Sequence, residues 1–155
     1  MSKLSAITVA LDAAKGRREQ VVGQMHGAQR LCSGARGQLE QLGSYANETR
    51  DKWALASRQT TTPELLLHYN QFMQRLQQAL ELQQQALARH ELALAAQHRV
   101  LVQIDVRIAG LERLLDKRQI AARRLVLARE QDQMDELAAQ QYRRLRGTLA
   151  SLGAP

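Results

Sequence analysis

The sequence has few of the residues that build compact, cross-linked or aromatic-rich domains. Aromatic residues make up only 3% of the 155 residues, too few for a conventional globular core. A single cysteine, Cys32, excludes a disulfide within the chain and gives no sign of an oxidising compartment. No Val/Ile/Thr-rich alternating segment indicates a strand. What remains is rich in Ala, Leu, Gln, Arg and Glu, the composition of long helices.

Membrane and catalytic signals are lacking as well. No window is as long and apolar as a membrane span, and polar residues interrupt the N-terminal segment where a signal peptide needs an apolar run. The four histidines show no metal-ligand spacing with cysteine or acidic residues. There is no Gly-rich phosphate loop and no nucleophile elbow. We therefore expect a cytoplasmic protein that is not an enzyme and has no cofactor and no metal site.

The charge is strongly basic, +7 from 22 Lys and Arg against 15 Asp and Glu. Such a charge suits nucleic acid, an anionic membrane or an acidic protein surface. The basic residues are dispersed and acidic residues lie between them, which favours a solvated helix surface. A dedicated nucleic-acid binder would show a continuous basic stripe or stacking aromatics. We expect no nucleic-acid partner, and salt-sensitive binding to duplex DNA would contradict this expectation.

A heptad pattern dominates the first third of the chain. Apolar residues recur at alternating intervals of three and four from Leu4 to Trp53, which is the seam of a coiled coil. Cys32 falls on this seam and is interpreted as a small core residue. The seam residues of this helix on which the prediction depends are Leu11, Val21, Met25 and Leu39.

The pattern stops at "SRQTTTPEL" and then resumes. Pro63 suits the first turn of a new helix, Thr62 is a plausible N-cap, and Glu64 complements the helix dipole. The apolar row of the second helix includes Leu80, Leu87, Leu94, Leu101 and Ile108. Its companion row has a polar centre, in which His90 is interpreted as a register-setting seam residue.

The short connection makes the two helices antiparallel neighbours. We predict an all-α fold, an antiparallel two-helix coiled-coil hairpin with a longer second helix. It forms one elongated domain over residues 1–155, with helix 1 at about 4–56, a turn at about 57–62, helix 2 at about 63–147 and a frayed C-terminal tail. The second helix extends past the first beyond about Leu115. Six glycines of helix 1 lie off the seam. They indicate close approach of another backbone or deliberate flexibility, or else a helix that is held by its seam and tolerates glycine elsewhere.

Hairpin geometry brings two off-seam aromatic residues together. With a turn centred near residue 59, Leu42 faces Leu76, Thr49 faces Tyr69, and Tyr45 faces the level of Phe72. Tyr45 and Phe72 each precede a seam position by one residue, so we expect both at one edge of the coiled coil. Partly exposed aromatics with polar neighbours mark protein-binding surfaces, although the rings could merely cover a wide seam.

Three segments, "QLEQLGSYANETR", "HYNQFMQRLQQAL" and "QDQMDELA", resemble the FliJ family of flagellar type III export proteins. The resemblance covers nearly the whole chain, in the order and spacing of these segments. It implies a stalk-like antiparallel coiled coil that stands in the pore of a hexameric flagellar export ATPase. The resemblance further implies contact with the cytoplasmic domain of the membrane export gate and binding of export chaperones. The location would be cytoplasmic, peripheral to the inner membrane at the flagellar base and only through these partners.

The resemblance also implies a gate-binding surface near the hairpin end. The matching positions, called the aromatic patch below, are Gln38, Leu42, Tyr45, Phe72, Leu76 and Ala79. Two flanking positions depart from the family pattern, because Thr49 stands where an aromatic is common and Gln83 where a basic or imidazole side chain is common. For the ATPase end only the region around Gln133–Leu137 carries over, because Asp132 and Gln133 replace lysines common there.

Two other interpretations stay open at this stage. An injectisome stalk protein would share the architecture. A generic coiled-coil scaffold would use the seam to pair between chains instead of folding back. We expect a protein that is monomeric in isolation, and sedimentation separates a monomer of about 17 kDa from a tetramer.

Overall fold

The computed structural model describes residues 3–153 and contains two helices. Helix α1 runs Lys3–Ala56 and helix α2 runs Pro63–Leu152. The fold is all-α, a helical hairpin, and no strand occurs within residues 3–153. Helix α2 continues to Leu152, past the predicted end near 147, so residues 148–152 are helical where a frayed tail is predicted. The last two residues of that tail lie outside the described part of the chain.

The turn between the helices is built from local hydrogen bonds. Thr62 caps α2 as predicted, because its Oγ1 accepts a hydrogen bond from the Leu65 amide at 3.2 Å. Pro63 occupies the first helical position, where a missing N–H costs nothing. At the end of α1 the Ser57 amide donates to the Trp53 carbonyl at 2.8 Å, and the Thr61 hydroxyl donates to the Ser57 carbonyl at 2.9 Å. These bonds satisfy backbone groups that the helix ends would otherwise leave unpaired.

The packing divides into two units. The turn-side unit spans Lys15–Val106, and the terminal unit combines residues 1–14 with 107–155. In the turn-side unit the most buried side chains are small or aliphatic and come from both helices: Val21, Cys32, Ala35, Ala46, Leu76 and Ile104. In the terminal unit Ile7, Leu11 and Ala14 are buried on α1, while Ile108, Leu111 and Leu115 are half-buried on α2.

The predicted seam agrees with this burial. Leu11 and Val21 are buried, and the other seven seam residues are half-buried: Met25, Leu39, Leu80, Leu87, Leu94, Leu101 and Ile108. Cys32 is only 3% exposed, which confirms its interpretation as a small core residue. Half-burial of leucines is what a two-helix seam allows, because each side chain is covered by one neighbouring helix only.

Five of the six glycines of α1 stand in open space. A Cβ added at Gly16, Gly23, Gly34, Gly37 or Gly43 would meet no atom within 4 Å, so no neighbouring segment of this chain approaches them closely. None of them has a positive φ angle. Close approach by a backbone within the chain therefore finds no support as an explanation of these glycines.

Within residues 3–153 no helix is long and apolar enough to cross a membrane.

Candidate functional site

Tyr45 and Phe72 contact each other across the two helices of the turn-side unit. Their ring centroids lie 6.0 Å apart with an interplanar angle of 83°, an edge-to-face arrangement. Aromatic rings prefer this geometry because the positive edge of one ring faces the negative face of the other. Both rings stay exposed, Tyr45 to 51% and Phe72 to 39%. The expectation that they share one level and one edge of the coiled coil is confirmed.

The other members of the aromatic patch differ in burial. Leu76 is only 7% exposed and belongs to the core, so it packs beneath the surface instead of forming it. Leu42 and Ala79 are half-buried, and Gln38 is exposed. The accessible part of the patch is therefore the aromatic pair with Gln38, and the aliphatic members support it from below.

Gln83 of α2 forms hydrogen bonds with α1 at the edge of the aromatic patch. Its Nε2 donates to the Ala35 carbonyl at 3.1 Å and to Gln38 Oε1 at 2.9 Å. Counting residues from a turn centred near residue 59 would place Gln38 opposite Ala79 or Leu80, one helical turn from Gln83. Gln83 is one of the two positions at which the resemblance in the sequence departs from the family pattern. In this chain a neutral amide fixes Gln38.

A shallow depression on the outer face of α1 adjoins Tyr45. The small residues Gly37 and Ser44 form part of its lining, and Glu40 and Glu48 place carboxylates in it. Two carboxylates thus lie beside Tyr45 on a chain whose net charge is +7.

A second aromatic pair, which the sequence does not predict, lies closer to the turn. Trp53 and Tyr69 stack with ring centroids 4.5 Å apart and an interplanar angle of 6°, and both remain half-exposed. The expected partner of Tyr69 is Thr49, but the Thr49 hydroxyl donates to the Tyr45 carbonyl on its own helix. Side chains tilt toward the N-terminus of their helix, away from the turn on α1 and toward it on α2. Trp53 therefore meets Tyr69 although its Cα lies nearer the turn.

Two ion pairs join the helices farther from the turn in the same unit. Arg18 Nε lies 2.6 Å from Asp105 Oδ1, and Arg36 lies 3.3 Å from Glu91. The hydrogen bond from Arg18 to Asp105, and secondly the charge of Asp105, raise the pKa of the Arg18 guanidinium above its already high ordinary value. Arg18 lies one heptad after Leu11 and so on a seam position, but its exposed side chain pairs with Asp105 of α2.

The C-terminal part of α2 in the terminal unit is exposed throughout residues 116–153. It nevertheless carries an apolar stripe at spacings of three and four residues, formed by Met134, Ala138, Tyr142, Leu145, Leu149 and Leu152. The large members of this stripe are 64% exposed or more. The region around Gln133–Leu137, expected to contact an ATPase, contributes Met134 to it. An amphipathic helix whose apolar face meets no other helix is suited to bind a partner.

In the part of the chain that the structure describes, no group of three or more His, Cys, Asp or Glu could hold a metal ion. His90 is half-buried at its predicted seam position and lines a small groove with Arg30, Gly34 and Gln83.

Comparison with known proteins gives the family. The model of the FliJ family, described as the flagellar FliJ protein, matches residues 3–147. No curated protein and no solved structure matches the chain. Because the match covers almost the whole hairpin, this chain belongs to the FliJ family and is a component of the flagellar export apparatus. The family match favours the flagellar over the injectisome interpretation of the sequence.

Proposed function

We propose that this chain is a non-enzymatic, stalk-like component that links the hexameric export ATPase to the cytoplasmic domain of the membrane export gate. One observation carries the proposal: each packing unit has an exposed apolar surface that the hairpin does not cover. In the turn-side unit it is the Tyr45–Phe72 pair, and in the terminal unit it is the stripe from Met134 to Leu152. A protein with two such surfaces can hold two partners at once.

The aromatic patch suits the gate. Exposed aromatic residues supported by buried aliphatic ones are the usual anchors of protein interfaces, and here Leu76 supports the exposed rings of Tyr45 and Phe72. The resemblance of Gln38, Leu42 and Ala79 to the family's gate-binding positions points to the same partner. The gate would hold the protein on the cytoplasmic side of the inner membrane, at the flagellar base.

The stripe on the C-terminal part of α2 suits the ATPase. A pore formed by a ring of subunits can surround a single helix, and residues 116–153 are exposed on all sides. Any ATP chemistry belongs to that partner. Binding of export chaperones is part of the proposal and is supported by family membership.

The test is a quantitative pull-down of the purified chain with the hexameric export ATPase and with the cytoplasmic domain of the gate. We expect binding to each partner alone and a ternary complex when both are present. Failure of both partners to bind at micromolar concentration would overturn the proposal. Sedimentation of the same sample addresses the rival, a self-assembling scaffold, because the exposed stripe would also suit pairing between copies. A monomer supports the stalk, and a stable tetramer supports the scaffold.

A further inference from the structure

The seam that packs α2 on α1 does not continue along the C-terminal part of α2. Its row runs through Leu101, Ile108 and Leu115, and the next two positions of the same row are Ala122 and Arg129. All residues from 116 to 153 are exposed. Packing on α1 therefore does not explain the large apolar residues of this part of the helix.

A second apolar row replaces the seam on another side of α2. Steps of seven residues lead from Ile120 to Leu127 and on to Met134, where the apolar stripe begins that ends at Leu152. Ile120 follows Leu115 by five residues, which turns a helix by about 140° past one full turn. The stripe is therefore not a prolongation of the seam, and a helix that covers it lies on a different side of α2.

The stripe is self-complementary in size when a second copy of the chain lies against it in the opposite direction. With residue 140 at the centre of such a pair, residues whose numbers sum to about 280 face each other. The facing pairs are Leu127 with Leu152, Gln131 with Leu149, Met134 with Leu145, and Ala138 with Tyr142. The smallest member of the stripe thus faces the largest, as the interlocking of side chains between two helices requires. The overlap spans residues 127–152, about 39 Å of helix.

The charges beside the stripe fit the same antiparallel arrangement. Between residues 117 and 152 all acidic residues lie in one block, 130–136, and three arginines follow at 143, 144 and 146. Asp135 and Arg146 are eleven residues apart, close to three full turns, so both lie along the same edge of the stripe. Their numbers also sum to about 280, so Asp135 of each copy faces Arg146 of the other. Within one chain about 16 Å of helix separates them, too far for an ion pair.

The same charges disfavour a parallel pair. Flanking residues five positions apart meet across a parallel two-helix coiled coil, so Glu130 of one copy would lie beside Asp135 of the other. Two such contacts between like charges would oppose the parallel pair, whereas the antiparallel pair has two contacts between opposite charges. The sequence around the stripe therefore selects both the partner and its direction.

We propose that two copies of this chain pair antiparallel through residues 127–152, with the stripe as the seam and an Asp135–Arg146 ion pair at each end of its centre. Pairing does not depend on the proposed function, but it covers the stripe that the proposed function gives to the export ATPase, so the two contacts exclude each other. The seam between α1 and α2 stays intact, unlike in a scaffold that uses this seam to pair between chains. The pair is reversible, and the monomer expected from the sequence is the form of the chain at low concentration.

Sedimentation equilibrium of the purified full chain tests the pairing. We expect a monomer–dimer equilibrium with a dissociation constant between about 1 µM and 1 mM. Leu145→Gln should weaken it at least about tenfold, because it removes a central anchor of the interface. Leu125→Gln is the matched control, since Leu125 is 55% exposed on the same helix but lies off the stripe, and it should pair like the unmodified chain. A chain that stays monomeric at about 1 mM, or that forms tetramers, would overturn the proposal.

Charge reversal tests the direction of the pair. Arg146→Glu and Asp135→Arg should each weaken pairing, because each brings like charges together, and the double variant should restore it. Asp135 accepts a hydrogen bond from Gln131 at 3.1 Å on its own helix, at an exposed site, so these changes leave the core of the hairpin untouched. Arg129→Glu is the control with the same change of net charge, since Arg129 lies nine residues, two and a half turns, from Ala138 and so on the opposite side of the helix. It should pair like the unmodified chain.

The charge variants also separate this pairing from other kinds of association. Eleven residues separate the two exchanged positions, so only an antiparallel contact between two chains can produce the restoration. A dimer in which the double variant is no stronger than the single variants would overturn the antiparallel pair. Because the chain is measured alone, loss of pairing leaves the ATPase contact of the proposed function standing. Failure of the ATPase to bind would equally leave the pair standing.

Discussion

Gln83 of α2 holds Gln38 of α1 across the hairpin, with 2.9 Å between the donating amide nitrogen and the accepting side-chain oxygen. The same nitrogen donates to the Ala35 carbonyl at 3.1 Å. A polar residue at the centre of a seam lowers stability compared with leucine but fixes the register of the two helices. Because Gln38 belongs to the aromatic patch, the hydrogen bond from Gln83 fixes the register of the two helices at the patch.

Replacing Gln83 with alanine should lower the free energy of unfolding by about 1 kcal/mol, because a hydrogen-bonded, half-buried side chain is lost. Urea denaturation followed by circular dichroism measures the change. Gln84→Ala is the control, since Gln84 is exposed one position away, and it should change stability little. Equal stability of the two variants would mean that the Gln83 contacts are not formed in solution.

Leu76→Ala should cost about 2 kcal/mol or more of unfolding free energy, because Leu76 is 7% exposed and the hairpin cannot fill the space it leaves. Leu82→Ala makes the same chemical change at a 66% exposed site of α2 and should stay within about 0.5 kcal/mol. Thermal and urea denaturation of both variants give the comparison. A similar small cost for both would contradict the packing of α2 on α1.

The glycines allow a prediction in the opposite direction. Gly16→Ala should stabilise the hairpin by up to about 1 kcal/mol, because alanine favours the helix and its Cβ meets no atom within 4 Å. Gly147→Ala is equally free of clashes but lies in the exposed part of α2, where it should not shift the main unfolding transition. A loss of stability in Gly16→Ala, measured by urea denaturation, would argue that a glycine is needed there.

The double variant Tyr45→Ala with Phe72→Ala should weaken binding to the cytoplasmic domain of the gate at least about tenfold, because truncation of an interface aromatic often costs more than 1 kcal/mol. Helix content should not change, since both rings lie at the edge of the seam and are exposed. Isothermal titration calorimetry or a biosensor measures the affinity. Unaltered binding would mean that the gate contacts another surface.

Deletion of residues 130–155 should impair association with the export ATPase and leave gate binding intact. The removed part includes the apolar stripe from Met134 to Leu152, and its described residues are exposed, so its loss should not unfold the packed hairpin. Stimulation of ATP hydrolysis by the purified hexamer, with and without the deletion, is the measurement. Unchanged stimulation would argue against ATPase binding at this end.

The fold could be predicted because its signals are local and repeated. The heptad rows place the seam, and Thr62 with Pro63 marks the start of the second helix. The end of α2 is less predictable. The predicted end lies near residue 147, yet α2 continues to Leu152, because the single glycine there, Gly147, costs only about 1 kcal/mol against alanine.

The candidate site was predictable in part. Counting residues from the turn correctly places Tyr45 opposite Phe72. The same count places Tyr69 opposite Thr49, whereas in the structure Tyr69 stacks on Trp53. The count follows Cα positions and ignores the tilt of long side chains toward the N-terminus of each helix. The heptad pattern does separate Leu76 from Phe72. It places Leu76 opposite Leu42 and Phe72 one residue before a seam position, and Leu76 is indeed buried while Phe72 is exposed.

The unfilled space around the α1 glycines has a mechanical consequence. Glycine exposes the backbone to water and loosens a helix, and Gly16, Gly23 and Gly34 have no neighbouring atoms near the missing Cβ to brace them. Helix α1 should therefore bend more readily at these three glycines than a helix with alanine in their place.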